Sequence, residues 1–447
     1  MSSDWPLVPV GEVAQLFDGP HATPKKTENG PVFLGISSLK RGLLDLSSTE
    51  HLSEEDFSKW TRRVTPQVGD VVFSYETRIG EVAIIPEGLR CCLGRRMALL
   101  RPDQRRLLPK YLLYYFLSDE FQGLLRTRTI HGSTVDRLPL KDFPSYPVRV
   151  PPLGVQRSIS EILEALDQRK SLLRETNATL EAVAQALFKS WFVDFDPVRA
   201  KAEGRQPEGM DAATASLFPD SFEESELGLV PRGWQHSCVE EFAEKVGMGP
   251  FGSNIKVETF VSDGVPVISG QHLRQTLVED STFNFITDRH AEKLSNSCVF
   301  EGDVIFTHAG SIGQVALLHR YAQFERYVLS QRQFFLRCDK QKMRPEWITY
   351  YFRSTQGQHQ LLANTSQVGV PSIARPVSYL RSIKVVMPPK ALVDRFSDIA
   401  DSTHQVVLTN RKQIQTLTHL RDTLLPRLIS GQLRLPGAEQ AVEEALA

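Results

Sequence analysis

The chain repeats itself, and this limits its fold more than any other feature, because one structural plan must serve twice. Trp5 and the stretch Val10-Gly11-Glu12-Val13-Ala14 return as Trp234 and Val239-Glu240-Glu241-Phe242-Ala243. Pro31-Val32-Phe33-Leu34-Gly35 matches Pro266-Val267-Ile268-Ser269-Gly270, and Gly69-Asp70-Val71-Val72-Phe73 matches Gly302-Asp303-Val304-Ile305-Phe306. Ile79-Gly80, Tyr114-Tyr115-Phe116 and Pro151-Pro152 pair with Ile312-Gly313, Tyr350-Tyr351-Phe352 and Pro388-Pro389. Each match is short, but they keep one order at spacings of 229 to 237 residues, which common strand and turn words do not produce by coincidence.

Both copies share a grammar. Apolar or alternating runs such as Val71-Val72-Phe73, Glu81-Val82-Ala83-Ile84-Ile85 and Val315-Ala316-Leu317-Leu318 are cut by Gly, Pro and Asp and predict strands. Pro-Pro then ends regular structure, and a long helical stretch follows. In the first stretch Ile159, Leu166, Leu173, Leu180 and Leu187 recur every seven residues, with Ile162 and Val183 in a second row. In the second, Val407, Ile414, Leu417, Leu424 and Leu428 fit the same seam, interrupted by Asn410 and Arg421. A sevenfold stripe is a coiled-coil seam, and the simplest partner for each helix is the other. Pro426 is expected to break or kink the second helix. The expected divisions are a first globule over 1–150, a helical region over 151–195, a polar linker over 196–230, a second globule over 231–387, a second helical region over 388–435 and a flexible tail over 436–447.

At 447 residues, 41% hydrophobic and 23% charged, the chain has room for two to three domains with real cores. No apolar run approaches the roughly 18–20 residues of a membrane span, and the first residues read as no secretory signal. Five cysteines without C-x-x-C spacing exclude a disulfide scaffold and favour a reducing cytoplasm. Nucleotide-binding loops, H-E-x-x-H, G-x-S-x-G and an Asn-Pro-Pro-aromatic tetrapeptide are all missing. The eleven histidines are scattered, and Asp194/Asp196 reads as a helix end. Nothing points to bond chemistry by this chain or to a metal.

The net charge of −1 hides a partition: the globules carry +2 and +3, and the helices, linker and tail carry −6. Arg90, Arg95, Arg96, Arg101, Arg105 and Arg106 form one cluster; Arg126, Arg128, His131, Ser133, Thr134, Arg137 and Lys141 form another. Lys25-Lys26 follow the loop Gly19-Pro20-His21. The second globule offers Gln331-Arg332, then Ser366-Gln367-Val368-Gly369 with Arg375. Arg pairs with guanine and Gln with adenine in the major groove, while Lys, Ser and Thr hold phosphates, so these clusters suggest DNA reading; the alternative for each is a solvated charged surface.

The segments flanking the globules carry a resemblance. Glu226-Leu227-Gly228-Leu229-Val230-Pro231-Arg232-Gly233-Trp234 resembles the entry to the second recognition domain in specificity (S) subunits of type I restriction–modification systems. Val150-Pro151-Pro152-Leu153-Gly154-Val155-Gln156-Arg157-Ser158-Ile159, with the helix ending Ala186-Leu187-Phe188-Lys189-Ser190-Trp191-Phe192-Val193-Asp194-Phe195, resembles that family's central conserved region. Leu420 through Gly431 is similar to its distal one. Gly69-Asp70-Val71 and Gly302-Asp303-Val304 look like its strand word. The likeness covers Trp5 to Leu435.

The resemblance implies an α/β (α+β) fold: two target-recognition domains in tandem pseudo-twofold repeat, separated by two long antiparallel coiled-coil-like helices. A helix of about 35 residues is about 50 Å long at about 1.5 Å rise, and paired half-sites lie about 34–36 Å apart, so the helices would act as a ruler. It also implies a non-catalytic DNA-specificity subunit that recognises a bipartite asymmetric double-stranded target. Two methyltransferase subunits would bring S-adenosylmethionine, and restriction subunits ATP hydrolysis and Mg. The candidate DNA-contacting residues are Lys25, Lys26, Arg78, Arg95, Arg96, Arg128, His131, Ser133 and Thr134, then Lys256, His272, His308, Ser311, Gln331, Arg332, Gln367 and Ser372. Candidate subunit contacts are Leu166, Leu173, Phe188, Trp191, Phe192, Leu424 and Leu428. Three other readings stay open: a type IIB-like specificity subunit, a solitary nuclease or methyltransferase, and a non-DNA coiled-coil scaffold.

Overall fold

The computed structural model describes residues 5–47, 49–132, 135–226, 228–279, 282–366, 369–433 and 435–446. The chain forms two compact units, Met1–Leu173 with Lys412–Ala447, and Arg174–Arg411. Both boundaries fall inside long helices, so each unit is a globule together with half of each helix.

In the first unit, strands β1 (Ala14–Asp18), β2 (Val71–Ser74), β3 (Val82–Ile84) and β4 (Met97–Pro102) form an antiparallel sheet in the order β1-β4-β2-β3. Every residue of β2 is buried, which is why its sequence is a continuous apolar run. Successive side chains alternate between faces. Phe73 and Leu100 face helices α1 (Pro109–Leu117) and α2 (Asp119–Arg128); Val72 and Leu99 face a second sheet, in which Thr27–Leu34 lies between Glu50–His51 and Cys91–Leu93. Pro109 opens α1 at a position where no N–H is needed, and the Ser118 hydroxyl caps α2 by accepting from Phe121 N at 3.4 Å. The ribbon Leu7–Pro9 with Pro147–Arg149 closes the globule before helix α3 (Leu153–Phe192) begins. Gln156 fastens that start: its carbonyl accepts from Leu108 N and its amide donates to the carbonyls of Arg106 and Pro151, each at 2.8 Å.

The second unit repeats the plan. Strands β5 (Ala243–Met248), β6 (Val304–Thr307), β7 (Val315–Leu317) and β8 (Gln333–Cys338) take the order β5-β8-β6-β7. Phe306 and Phe334 face the core shared with helix α4 (Pro345–Arg353) and the neighbouring α5 (Thr355–Leu362), while Ile305 and Phe335 face the opposite core. Gln235–Cys238 pairs with Lys384–Met387, and helix α6 (Lys390–Ile429) follows.

The two long helices pack antiparallel within each unit. In the first, Ile159, Leu163, Leu166 and Leu173 share a core with Leu417, Leu424, Leu425 and Leu428. In the second, Phe188 and Phe192 lie 5.2 and 5.5 Å from Phe396, and Ala184 shares the core with Val407. Both polar interruptions of the seam find partners on the facing helix. Asn410 Nδ2 donates to Asn177 Oδ1 at 2.8 Å, and Arg421 Nη1 to Asp167 Oδ1 at 3.2 Å.

Three sequence expectations need correction. Helix α6 is not broken at Pro426 but runs on to Ile429; the ring removes the hydrogen bond to the Asp422 carbonyl and crowds it, and the burial of Leu424, Leu425 and Leu428 around it offsets that cost. Residues 196–230 are not a loose linker. They form helices Asp196–Ala202 and Ala212–Ser216 and the hairpin Phe222–Ser225/Gly228–Pro231, and Val198, Phe218 and Val230 enter the second unit's core. The segment expected as a flexible tail is a helix, Leu435–Leu446, whose Ala438 and Val442 are buried in the first unit. No helix among the described residues is long and apolar enough to cross a membrane.

Candidate nucleic-acid interface

Antiparallel order places the end of β1, the end of β2 and the starts of β3 and β4 at one edge of the first sheet. The loops leaving that edge are tied together. Gly19 N donates to Met97 O at 3.0 Å, Tyr75 N to Arg96 O at 3.2 Å, and Thr77 N to Asp136 O at 3.3 Å. Leu138 N reaches Tyr75 O at 2.8 Å, and β-bridges join Arg137 to Glu76 and Ile130, bringing in the segment after α2. A Cβ on Gly19 would stand 2.5 Å from Met97 O, so only glycine passes there. Thr77 and Arg96 both have left-handed backbones, φ 66° and 73°. Each costs on the order of 1–3 kcal/mol, and they hold each other: Arg96 Nη1 donates to Thr77 Oγ1 at 2.9 Å, and its Nε meets Glu76 at 3.1 Å.

The same edge recurs in the second unit. Gly249 N donates to Gln333 O at 2.8 Å, His308 N to Arg332 O at 2.9 Å, Gly310 N to Pro371 O at 3.0 Å and Ile373 N to His308 O at 2.8 Å. Gly310, at φ 82°, stands where Thr77 stands in the first unit. The pair Thr365–Ser366/Ser372–Ile373 takes the place of the Ile130–Arg137 segment, and Ala309 bridges to Ser372. Each unit thus presents four bound loops from one sheet edge.

These loops collect Arg78, Arg95, Arg96 and His131 in the first unit, with Arg128 two residues before Ile130. In the second they collect Lys256, His308, Ser311, Gln331, Arg332 and Ser372. Arg95, Arg128, Lys256 and Arg332 are exposed and make no ion pair with the described residues. Arg78 pairs with Glu81 at 2.8 Å and His131 with Asp136 at 3.2 Å. The His308 ring is half-buried against Gln331 O at 3.2 Å, and burial lowers its pKa. Ser133, Thr134 and Gln367 lie outside the described residues.

Elsewhere the candidates disperse. Lys26 pairs with Glu50 on the second sheet of its unit, with exposed Lys25 beside it. His272 is 1% exposed, stacks on Phe283 at 4.5 Å and accepts from Ser269 N at 2.9 Å, so it is a core histidine rather than a DNA contact. In the arginine cluster, Arg90 binds Glu54, Arg105 binds Asp103, and Arg106 donates to Glu12 O at 2.8 Å. Arg101 grips buried Asp70 through two bonds of 2.8 and 2.7 Å, and Arg337 grips buried Asp303 at the same two distances. This duplicated pair explains the Gly-Asp-Val word: the aspartate anchors a strand. The seven candidate subunit contacts, Leu166, Leu173, Phe188, Trp191, Phe192, Leu424 and Leu428, are all buried in this chain's own cores and form no free surface. The apolar side chains that the long helices do expose include Leu172, Val183 and Val406.

One positioning pair escaped sequence reading. Gln122 Nε2 donates to Gly80 O at 3.2 Å and Phe116 O at 2.8 Å; Gln358 Nε2 donates to Gly313 O at 2.9 Å and Phe352 O at 2.5 Å. Both glycines have φ 85°. The signal was present as Ser118 and Gln122 after one Tyr-Tyr-Phe, and Ser354 and Gln358 after the other. No group of three or more metal-ligating side chains occurs among the described residues.

Residues 2–182 match the family described as type I restriction modification DNA specificity domain. The chain is 24% identical over 384 residues to the type I restriction enzyme HindI specificity subunit of Haemophilus influenzae, covering 76% of this chain and 81% of that one. It is 22% identical over 395 residues to the MjaIX specificity subunit of Methanocaldococcus jannaschii, covering 86% and 82%. Its fold is similar to that in the crystal structure of a type I restriction–modification system S subunit from M. genitalium, with a TM-score of 0.54 at 14% identity over 95% of this chain and 96% of that one. The duplicated plan and the paired long helices agree with these likenesses: residues 2–182 carry the match to the specificity-domain family, and most of the chain is similar to type I restriction–modification specificity subunits.

Proposed function

We propose that each unit reads one half of a bipartite, asymmetric DNA target through its four-loop edge. The observation that carries this reading is one edge built twice with different side chains: Arg78, Arg95, Arg96, Arg128 and His131 in one unit, Lys256, His308, Ser311, Gln331, Arg332 and Ser372 in the other. Conserved geometry with divergent chemistry is what two readers of unlike sequences need. Unpaired cations supply phosphate affinity, and Arg, Gln and Ser supply base contacts.

In this reading the chain is not itself an enzyme. Two methyltransferase subunits bind it and bring S-adenosylmethionine and adenine flipping; restriction subunits add ATP hydrolysis, Mg and cleavage in the cytoplasm. Mapping methylated adenines in the source genome with and without this chain tests it. A split motif that vanishes with the chain supports the reading, and an unchanged methylation map sinks it.

A further inference from the structure

The second unit's edge exposes apolar side chains among its polar ones, Val257 at 81% and Val370 at 59% included, and one of them is an aromatic ring. Phe251 is 74% exposed, in the loop that leaves β5. The loop is held firmly. A Cβ on Gly249 would stand 1.8 Å from Ser330 O, so the backbone runs hard against the turn before β8. Gln331 Nε2 donates to Ile255 O at 2.7 Å and Gly252 O at 3.5 Å, and Asn254 Nδ2 donates to Phe251 O at 2.8 Å. A pinned loop therefore aims an apolar ring at solvent, on an edge that also carries Lys256 and Arg332, which have no ion pair with the described residues.

Duplex DNA offers few matches for such a ring. Phosphates attract the cations and not the ring. Base faces are apolar but stacked, and reaching one requires opening a step. On the major-groove edges, the apolar group is the C5-methyl of thymine. The first unit sharpens the contrast. Its corresponding loop is Gly19-Pro20-His21, with the same close approach at glycine, but it carries an imidazole bonded to Asp18 at 2.8 Å. One loop, placed alike in both units, thus holds an apolar tip in one and a polar tip in the other.

We propose that Phe251 is a specificity-determining residue that contacts a thymine methyl in the half-site read by the second unit. The proposal rests on the DNA-reading function above. Its test uses the purified chain with its modification subunits and a duplex carrying the mapped target. Thymines of that half-site are replaced one at a time by deoxyuridine, which lacks only the methyl, and affinity is read by fluorescence anisotropy. One replacement should weaken wild-type binding about fourfold or more. Phe251→Ala should weaken binding to the thymine duplex at least as much and become indifferent to that same replacement. The ring is exposed, so unfolding temperature should stay at the wild-type value.

Three results overturn the proposal while leaving DNA reading intact: wild type indifferent to every replacement, Phe251→Ala binding as wild type does, or the two losses adding in full. Phe251→Ala weak on a target whose methyls never matter would instead mean base-face insertion. A wild-type complex that prefers no sequence overturns the DNA-reading function, and this proposal with it.

Discussion

Arg95 and Arg96 are neighbours with different work. Arg95 is exposed and has no ion pair with the described residues, whereas Arg96 is committed to Thr77 and Glu76 within a left-handed turn. Arg95→Ala should weaken binding about equally on all sequences and reduce the slope of log affinity against log salt by about one, checked by a salt titration. An unchanged slope would return Arg95 to ordinary solvated surface. Sequence alone could not sort the six clustered arginines, because the acids that claim Arg90 and Arg101, Glu54 and Asp70, lie 36 and 31 residues away. His404 was equally illegible. Its ring is fully buried, bonds Tyr350 Oη at 3.1 Å, and lies 5.6 Å from His319 and near Asp401 and Arg411. Burial first, and His319 second, lower its pKa to about 3. A histidine depressed below its unfolded value of about 6.5 contributes stability that is full above that pH and is lost as pH falls towards 3. Unfolding midpoints between pH 7 and 4.5 should therefore drop more steeply for wild type than for His404→Gln; parallel curves would contradict this linkage.

The long helices show what periodicity can and cannot reveal. The sevenfold stripe announced the seam and its partner helix, since those apolar residues meet across it, whereas the antiparallel sense came from the resemblance. The polar interruptions looked like flaws until the facing helix supplied Asn177 and Asp167. Asn177 is buried, so Asn410→Ala leaves its carbonyl oxygen without that donor and should cost on the order of 1–3 kcal/mol in urea unfolding. Replacing both asparagines by Leu should recover most of that loss, because two apolar groups need no partner. If the double variant is as unstable as the sum of the single ones, the pair is not the unit of stability. Pro426 and residues 196–230 misled because local propensity was read without packing: buried Leu424, Leu425 and Leu428 hold the helix across the proline, and polar segments still order around a few buried anchors such as Phe218. The glycine staples Gln122 and Gln358 were hidden for a related reason, since a glutamine side chain bonded to a distant backbone carbonyl leaves no periodic trace.

At the scale of the molecule, the duplication was legible because both copies keep their order and spacing. The division into units was not, because each boundary lies inside a continuous helix, where composition does not change. That division determines how a recognition domain is exchanged. Strand pairing of the first globule closes at Arg149, so a cut after residue 150 breaks no ladder. The globule nevertheless rests on α3 through Tyr114 Oη to Asp167 at 3.2 Å and Lys110 to Glu164 at 2.6 Å. An incoming domain must therefore keep a hydroxyl and a cation at those places. Replacing residues 1–150 on those terms should change one half of the methylated motif and leave the other half as it was, read by adenine mapping. A spacer change calls for a different operation. A seven-residue insertion in α3 alone would move Asn177 off Asn410, so a matched insertion in α6 is required to hold the seam. The double insertion should alter the spacer while both half-sites persist, whereas the single one should destabilise the chain. If exchanging residues 1–150 rewrites both half-sites, or the matched insertion changes their identity, the two loop edges do not read independently.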